Sequence, residues 1–313
     1  MQTILYSIVI PVYNTKESLI ELVDRLNAVF SETIRKPFEI IMVDDGSKNP
    51  DTWPTLLSLA EKNPHLTVIQ LTRNFGQMSA LICGLFHSRG DYVITMDDDL
   101  QHAPEYIPLL ISEQYHDMVV ARFPVMHHGP LRRITHKLKE ALETPLFGKP
   151  RGIELSSFRL LKRQLIDGLR EMMIPHPALT YLLLRQTQDV VNVTVPHYPR
   201  KEGKSGYSHR RRFSMFMNLL IYYSPVPSTL TAIVGSVFFF GAAGTAIILI
   251  FLQMRGLGGT LSFSTWLLVL MLLALGANLT ALGLIGHYCF RILQSFVRRT
   301  PYAIRRIIGT QLE

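Results

Sequence analysis

Short apolar runs alternate with amphipathic stretches through the first half of the chain. Ser7 to Pro11 (SIVIP), Phe38 to Val43 (FEIIMV), Thr67 to Leu71 (TVIQL) and Tyr92 to Met96 (YVITM) are aliphatic and rich in β-branched residues, the signature of strands. Between them Glu17 to Phe30, Trp53 to Glu61 and Met78 to Ser88 read as helices. The strands are continuously apolar rather than alternating, which suits burial on both faces. Their βαβα order predicts an α/β domain built on a mainly parallel sheet covered by helices.

The pattern changes near the C-terminus. Leu230 to Leu252 carries no charge, and at the helical rise it is about 34 Å long. Thr265 to Phe290 is a second such block, interrupted only by Asn278 and His287. Both are long enough to cross a bilayer. Two shorter segments are amphipathic. In Pro130 to Phe147, Leu131, Ile134, Leu138 and Leu142 share one face, which suits either a helix on the domain's own core or one lying in the membrane interface. Phe213 to Tyr223 is more apolar and abuts the first block, as an interfacial or lead-in helix would. The organisation expected is a soluble domain over residues 1–212 and a membrane domain over 213–313, the latter ending in a basic cytoplasmic tail, 291–313.

Charge adds an orientation. The 313 residues carry a formal net charge of +8, and the basic excess lies beside the two apolar blocks. Arg200, Lys201, Lys204 and Arg210 to Arg212 precede the first, while Arg291, Arg298, Arg299, Arg305 and Arg306 follow the second. Only Arg255 lies between them. The positive-inside rule then puts both termini and the large domain in the cytoplasm. Juxtamembrane placement fits anionic headgroups better than nucleic acid. MQTILYSIVIPVY lacks the basic n-region of a signal peptide, and Cys83 and Cys289 are too few for a disulfide framework or a zinc site.

Candidate chemistry collects where the strands end. Tyr13-Asn14, Asp44-Asp45-Gly46-Ser47, Arg73-Asn74-Phe75-Gly76 and Asp97-Asp98-Asp99 each follow a strand's carboxyl end, the edge at which open α/β sheets bind ligands. If extended geometry continues beyond Met96, Asp97, Asp99 and Gln101 project from one face. Such oxygen ligands suit a hard divalent cation, Mg²⁺ or Mn²⁺, and a cation holding a diphosphate points to nucleotide-sugar chemistry. Asp44 or Asp45 can accept hydrogen bonds from a ribose or base, or act as a turn aspartate before Gly46-Ser47. Arg73 suits a donor phosphate or a surface ion pair, and Gly76 gives close backbone approach. His127 and His128 read as exposed loop histidines without a ligand cluster.

The stretches SIVIPVYN, VDDGS, LTRNFGQMSALICG, GDYVITMDDDLQHAPE, SSFRLLKR and RKEGKSGYS, followed by two membrane blocks, resemble the family 2 glycosyltransferases that act on polyprenyl phosphates. That family includes bacterial undecaprenyl-phosphate sugar transferases and dolichyl-phosphate mannose synthases. The resemblance covers most of the chain. It implies a GT-A (Rossmann-like) fold, inverting transfer of one sugar from a nucleotide diphosphate to a lipid phosphate, a bacterial inner-membrane location and a homo-oligomer, with a tetramer as the form suggested by the resemblance. It implies that Asp97 and Asp99 are catalytic and, with Gln101, hold the metal. Pro11, Tyr13, Asn14, Asp44, Asp45, Arg73, Gly76 and Asp98 would then face the nucleotide sugar. Arg159 and Arg200, with Ser205 and Tyr207, would face the acceptor phosphate, where arginine's planar fork suits phosphate. UDP-linked donors are expected over GDP-mannose. The chain departs from the family at Thr15, where an acidic residue is common, and Ser157 occupies the usually small position before Phe158. Neither is expected to touch the metal site.

Rival classes fit less well. A nucleotidyltransferase needs a glycine-rich phosphate loop after the first strand, and Pro11-Val12-Tyr13-Asn14 is none. A processive polysaccharide synthase expects a Q-x-x-R-W motif, which neither Trp53 nor Trp266 supplies. A membrane scaffold without catalysis leaves the carboxylates idle.

Overall fold

The computed structural model describes residues 4–123, 149–171, 178–196, 226–256, 262–296 and 301–309. The expected segments Pro130 to Phe147 and Phe213 to Tyr223, His127 and His128, and the acceptor candidates Arg200, Ser205 and Tyr207 lie outside these residues. The chain divides into two compact units, residues 1–206 with 298–313, and residues 207–297.

Among the described residues, the first unit is built on an eight-stranded mixed sheet in the order β7-β5-β6-β4-β1-β2-β3-β8. Its strands are β1 Tyr6–Val12, β2 Phe38–Asp44, β3 Leu66–Leu71, β4 Tyr92–Thr95, β5 Met118–Arg122, β6 Arg159–Lys162, β7 Val190–Thr194 and β8 Ile304–Ile308. The four strands expected from sequence form the parallel centre, with β1 between β2 and β4 and β3 beyond β2. Every residue of β1 and β2 is buried, as continuous apolar runs require. Helices α1 (Glu17–Ala28), α2 (Thr52–Lys62) and α3 (Gln77–His87) connect them. In α1 the buried residues Leu19, Leu22, Val23 and Leu26 recur at helical spacing and turn one stripe to the core. The helix then widens into a π-helical turn, Val29–Ile34, closed by Arg35 in the left-handed region.

Two features differ from expectation. First, β4 stops at Thr95, and Leu100 takes φ 59°, so Asp97, Asp98 and Asp99 lie in a turn and strand alternation does not align them with Gln101. Second, part of the tail after the apolar blocks is a strand. β8 pairs antiparallel with β3, with Ile69 opposite Ile307 and Gln70 opposite Arg306. The tail therefore belongs to the sheet domain, and the boundary expected at residue 213 gives way to a membrane insert in a discontinuous domain.

The second unit is a pair of long helices, Val226–Met254 and Phe263–Phe296. Their apolar stretches, Val226–Met254 and Phe263–Phe290, have mean hydropathy 2.3, yet only 11% and 17% of the most apolar windows are buried. Phe240 (71% exposed) and Val237 (68%) illustrate an outer surface no soluble core covers. The helices meet across small residues. A Cβ at Gly276 would lie 2.4 Å from the Phe239 nitrogen, and one at Gly283 2.4 Å from that of Ala232, so side chains there would drive the backbones apart.

Candidate active site

Three loops at the carboxyl edge of β1, β2 and β3 are stitched into one surface by side chains bonded to backbone. After β1, Asn14 sits at φ 60° and its Oδ1 accepts the amide protons of Lys48 (2.7 Å) and Asn49 (3.1 Å). Its own amide donates to the Ser47 hydroxyl at 2.8 Å. After β2, Asp44 accepts the Ser47 amide (2.9 Å) and a longer contact from the Gln70 amide nitrogen (3.4 Å). Asp45 accepts from the amides of Phe75 (2.7 Å) and Gly76 (2.9 Å), one on each oxygen. Bonds of this charged kind are worth about 1.5–3 kcal/mol each. Burial still leaves the Asp45 carboxyl above its usual pKa, opposed by those two amides.

Several expected residues thereby gain a structural part. Asp44, Asp45 and Asn14, expected to face the nucleotide sugar, each hold loop backbone and so shape the surface that a ligand meets. The cause is local: short polar side chains outcompete solvent for amides left free in tight turns. Pro11 is buried within β1. Pairing with β4 ends at Val9 opposite Thr95, so its missing N–H costs no ladder bond on that side. Gly76 takes φ 97° at the start of α3, a conformation for which glycine is suited. Tyr13 (41% exposed) and Arg73 remain open to a ligand. The Arg73 guanidinium lies 4.7 Å over the Phe75 ring, and among the described residues no carboxylate pairs with it.

The fourth loop holds the carboxylates. Asp97 Oδ1 accepts from Gln77 Nε2 at 2.8 Å, and its Oδ2 accepts from the Ser157 hydroxyl at 2.7 Å. Asp99 Oδ1 accepts the Gln101 amide at 3.1 Å, closing an Asx turn. Asp98 faces the β1 loop, where it accepts from the Thr15 hydroxyl and the Tyr13 amide. Its Oδ2 is buried without a hydrogen-bond partner, and burial, reinforced by the neighbouring Asp97 and Asp99 charges, pushes its pKa up to about 6. Ser157 therefore touches a residue expected to hold the metal, contrary to expectation, whereas Thr15 reaches only Asp98.

Two neighbours of the turn were read differently or missed. Arg159 is only 1% exposed, on β6, where its guanidinium reaches the hydroxyls of Thr95 (3.3 Å) and Thr180 (2.9 Å). Burial lowers its pKa to about 10, partly offset by the Asp97 charge. It is thus a buried cation near Asp97, and although expected at the acceptor phosphate it is almost wholly covered by the domain. His102, missed in the sequence, stacks between Phe123 and Phe158 with ring centroids 5.3 Å from each. Its Nδ1 accepts the Asp97 amide at 3.2 Å, which requires a lone pair there and places the proton on Nε2. The 3.8 Å approach to Asp97 Oδ2 is then not an ion pair. The signal was present in Asp99-Leu100-Gln101-His102-Ala103-Pro104.

Among the described residues no three carboxylate, histidine or cysteine groups converge on one point. A cage of protein ligands is therefore not built here. The donor set still fits a divalent cation of the magnesium type, which is held by one or two carboxylates together with substrate phosphates. Asp97 and Asp99 supply hard oxygens, and the partnerless Asp98 Oδ2 keeps the turn's charge poorly compensated.

Known proteins agree with this architecture. The solved structure of glucosyl-3-phosphoglycerate synthase from Mycobacterium tuberculosis in complex with UDP superposes with TM-score 0.51 at 17% identity, covering 69% of this chain and 79% of that one. Its complex with phosphoglyceric acid gives TM-score 0.50 at 20% identity over the same shares. These likenesses show the GT-A fold. The undecaprenyl-phosphate 4-deoxy-4-formamido-L-arabinose transferases of Yersinia enterocolitica, Proteus mirabilis and Photorhabdus laumondii are 32%, 31% and 30% identical. Each alignment covers 97% of this chain and 94% of the relative. The family model described as glycosyl transferase family 2 matches residues 7–170, from β1 into the helix Arg163–Glu171, and the chain belongs to that family as a glycosyltransferase.

Proposed function

We propose that this enzyme transfers a single sugar, a hexose or modified sugar, from a nucleotide diphosphate to undecaprenyl phosphate or a related polyprenyl phosphate at the cytoplasmic leaflet. The observation that carries the reading is the full-length likeness to undecaprenyl-phosphate transferases of a chain with an acidic turn at its ligand edge and two apolar helices. A UDP-linked donor is favoured over GDP-mannose.

In this reading the nucleoside lies on the stitched loops, beside Tyr13, with Arg73 within reach of the diphosphate. Asp97 and Asp99, with Gln101, would hold Mg²⁺ or Mn²⁺, which neutralises charge on the departing diphosphate when bound. Gln77 and Ser157 fix the Asp97 carboxylate, and buried Arg159 balances it from behind. An acceptor phosphate monoester, with a second pKa of about 6, is already largely dianionic at neutral pH. It needs positioning and charge screening more than a strong base, roles that suit Arg200, Ser205 and Tyr207. Inversion follows from the family resemblance, through a single in-line displacement.

The sheet supports both flanks of the helix pair lying on one side of the membrane, and the basic flanking residues favour the cytoplasm as that side. β8 follows the second apolar helix and pairs with β3, which precedes the first, so both flanks belong to one folded domain.

The test is direct. Purified enzyme in micelles with undecaprenyl phosphate and a panel of UDP- and GDP-sugars should yield one single-sugar lipid, and Arg200→Ala should weaken use of the lipid more than donor binding. Polymer formation, or equal use of a soluble acceptor, would overturn the reading.

A further inference from the structure

The segment following the second apolar helix is more than a tether. Tyr302 is half-buried against the region of Cys83 on α3 and Arg170 on the helix Arg163–Glu171, and burial, with the Cys83 thiol close by, raises its phenol pKa. Next, the Ala303 carbonyl accepts the Thr72 amide at 2.9 Å. Arg305 reaches back and donates to the Thr72 carbonyl at 3.1 Å. Both backbone polar groups of Thr72 are thereby bonded to this segment. β8 continues the contact along β3 from Leu71 to Val68, and Arg306 lies 5.4 Å over the Trp53 ring at the start of α2. A Cβ at Gly309 would lie 2.6 Å from the Thr67 hydroxyl oxygen, so close packing persists past the strand.

Thr72 is the residue before Arg73, and the loop it opens supplies the Phe75 and Gly76 amides to Asp45. Without this segment, β3 would be the edge of the sheet and Thr72 would leave it with free backbone groups. We propose that residues 302–309 form a strap that positions the Arg73–Gly76 loop for the nucleotide donor, with Arg305 as a positioning residue acting through Thr72. The proposal rests on the donor reading given above. It makes the chain beyond the second membrane helix a working part of the donor site. A membrane anchor alone would be indifferent to residues 302–309.

The experiment uses full-length protein in micelles and three variants: a stop codon at position 302, Arg305→Ala, and Arg305→Lys, which keeps a donor for the Thr72 carbonyl. Hydrogen exchange of the Phe75 and Gly76 amides is read without ligand, and UDP and GDP binding with Mn²⁺ by calorimetry. The strap predicts faster exchange at those two amides and about tenfold weaker nucleotide binding in the truncation. Arg305→Ala should move both in the same direction with an unchanged melting temperature, and Arg305→Lys should recover most of the loss. Unchanged exchange and affinity in both the truncation and Arg305→Ala would overturn the proposal. So would faster exchange with unchanged affinity, because the segment then only braces the fold. If the wild type binds neither nucleotide, the donor reading fails instead, and the exchange arm alone decides whether the strap holds the loop. Cysteines at Thr67 and Gly309, with Cys289→Ser, test the pairing: a disulfide within one chain agrees with the strap, and one found only between chains refutes it.

Discussion

Gly46 and Arg73 are packed backbone to backbone: a Cβ on residue 46 would lie 2.4 Å from the Arg73 carbonyl carbon. The contact locks the turn after β2 to the loop after β3, and Asp45 locks them a second time through Phe75 and Gly76. Gly46 also takes φ 63°, where a side chain adds roughly 1 kcal/mol of strain. Backbone atoms cannot swing aside as a flexible side chain could. Gly46→Ala should therefore displace the Arg73 loop, and sugar transfer should fall by about 100-fold while membrane insertion is kept. Initial rates alongside membrane fractionation would check this, and wild-type rates would mean that the loops slide freely.

The acidic turn separates ligand from support. Asp99→Asn should abolish transfer in folded, membrane-bound protein, and excess EDTA should do the same to the wild type. Ser157→Ala and Gln77→Ala each remove one hydrogen bond to Asp97 and leave the carboxylate in place. Such supporting partners typically cost about 10–100-fold in activity or metal affinity when removed. The expected signature is a raised Mn²⁺ requirement in these two variants, with rates partly restored by added Mn²⁺. Activity of Asp99→Asn equal to wild type would remove the turn from the chemistry.

The sequence made the centre of the sheet legible because burial on both faces leaves no choice but continuous apolar runs, as in β1 and β2. It also marked the edge where the polar loops gather, since four polar clusters follow four such runs. The outlying strands were harder. β8 is five residues, Ile304–Ile308, with Arg305 and Arg306 at its middle, and beside a membrane block those arginines read as headgroup contacts. The placement of Arg159 is hard to read for a related reason. A charged residue usually faces a ligand or water, and only the packing around β6 leaves this one 1% exposed with its guanidinium on Thr95 and Thr180. Asn14 and Asp44 show a third limit: a single sequence cannot say whether a polar side chain at a strand end serves a ligand or the neighbouring loop.

Cys83 provides a pH test with a defined sign. Its thiol is fully buried, 3.9 Å from His87 Nδ1 and close to Tyr302, and burial pushes its pKa up to about 12. The folded protein thus holds this proton more tightly than the unfolded chain, whose thiol titrates near pH 8.5. The associated stability is fully present below that value and is lost as pH rises towards 12, by up to about 5 kcal/mol. Tyr302 adds to the loss at higher pH, since its pKa is raised as well. Cys83→Ala should accordingly lose less thermal stability than the wild type between pH 8 and 10.5, and Cys83→Ala with Tyr302→Phe should lose less again. Equal slopes in all three proteins would contradict the burial of this thiol.

The final prediction concerns the membrane. β8 lies after Phe263–Phe296 and hydrogen-bonds to β3, which lies before Val226–Met254, so the two flanks of the helix pair cannot be parted by a bilayer once the sheet has formed. Two apolar helices of spanning length then leave the turn between them on the opposite face. The basic residues on the outer flanks point the sheet domain to the cytoplasm, and the turn holds only Arg255. With Cys289→Ser as background, a cysteine at Gly258 should react with an impermeant thiol reagent in intact cells. One at Lys48 should react only after the membrane is opened, since Lys48 lies on the donor edge of the sheet domain. Labelling at Lys48 in intact cells would place the sheet domain outside, where no nucleotide-sugar pool exists, and would overturn both the orientation and the proposed reaction.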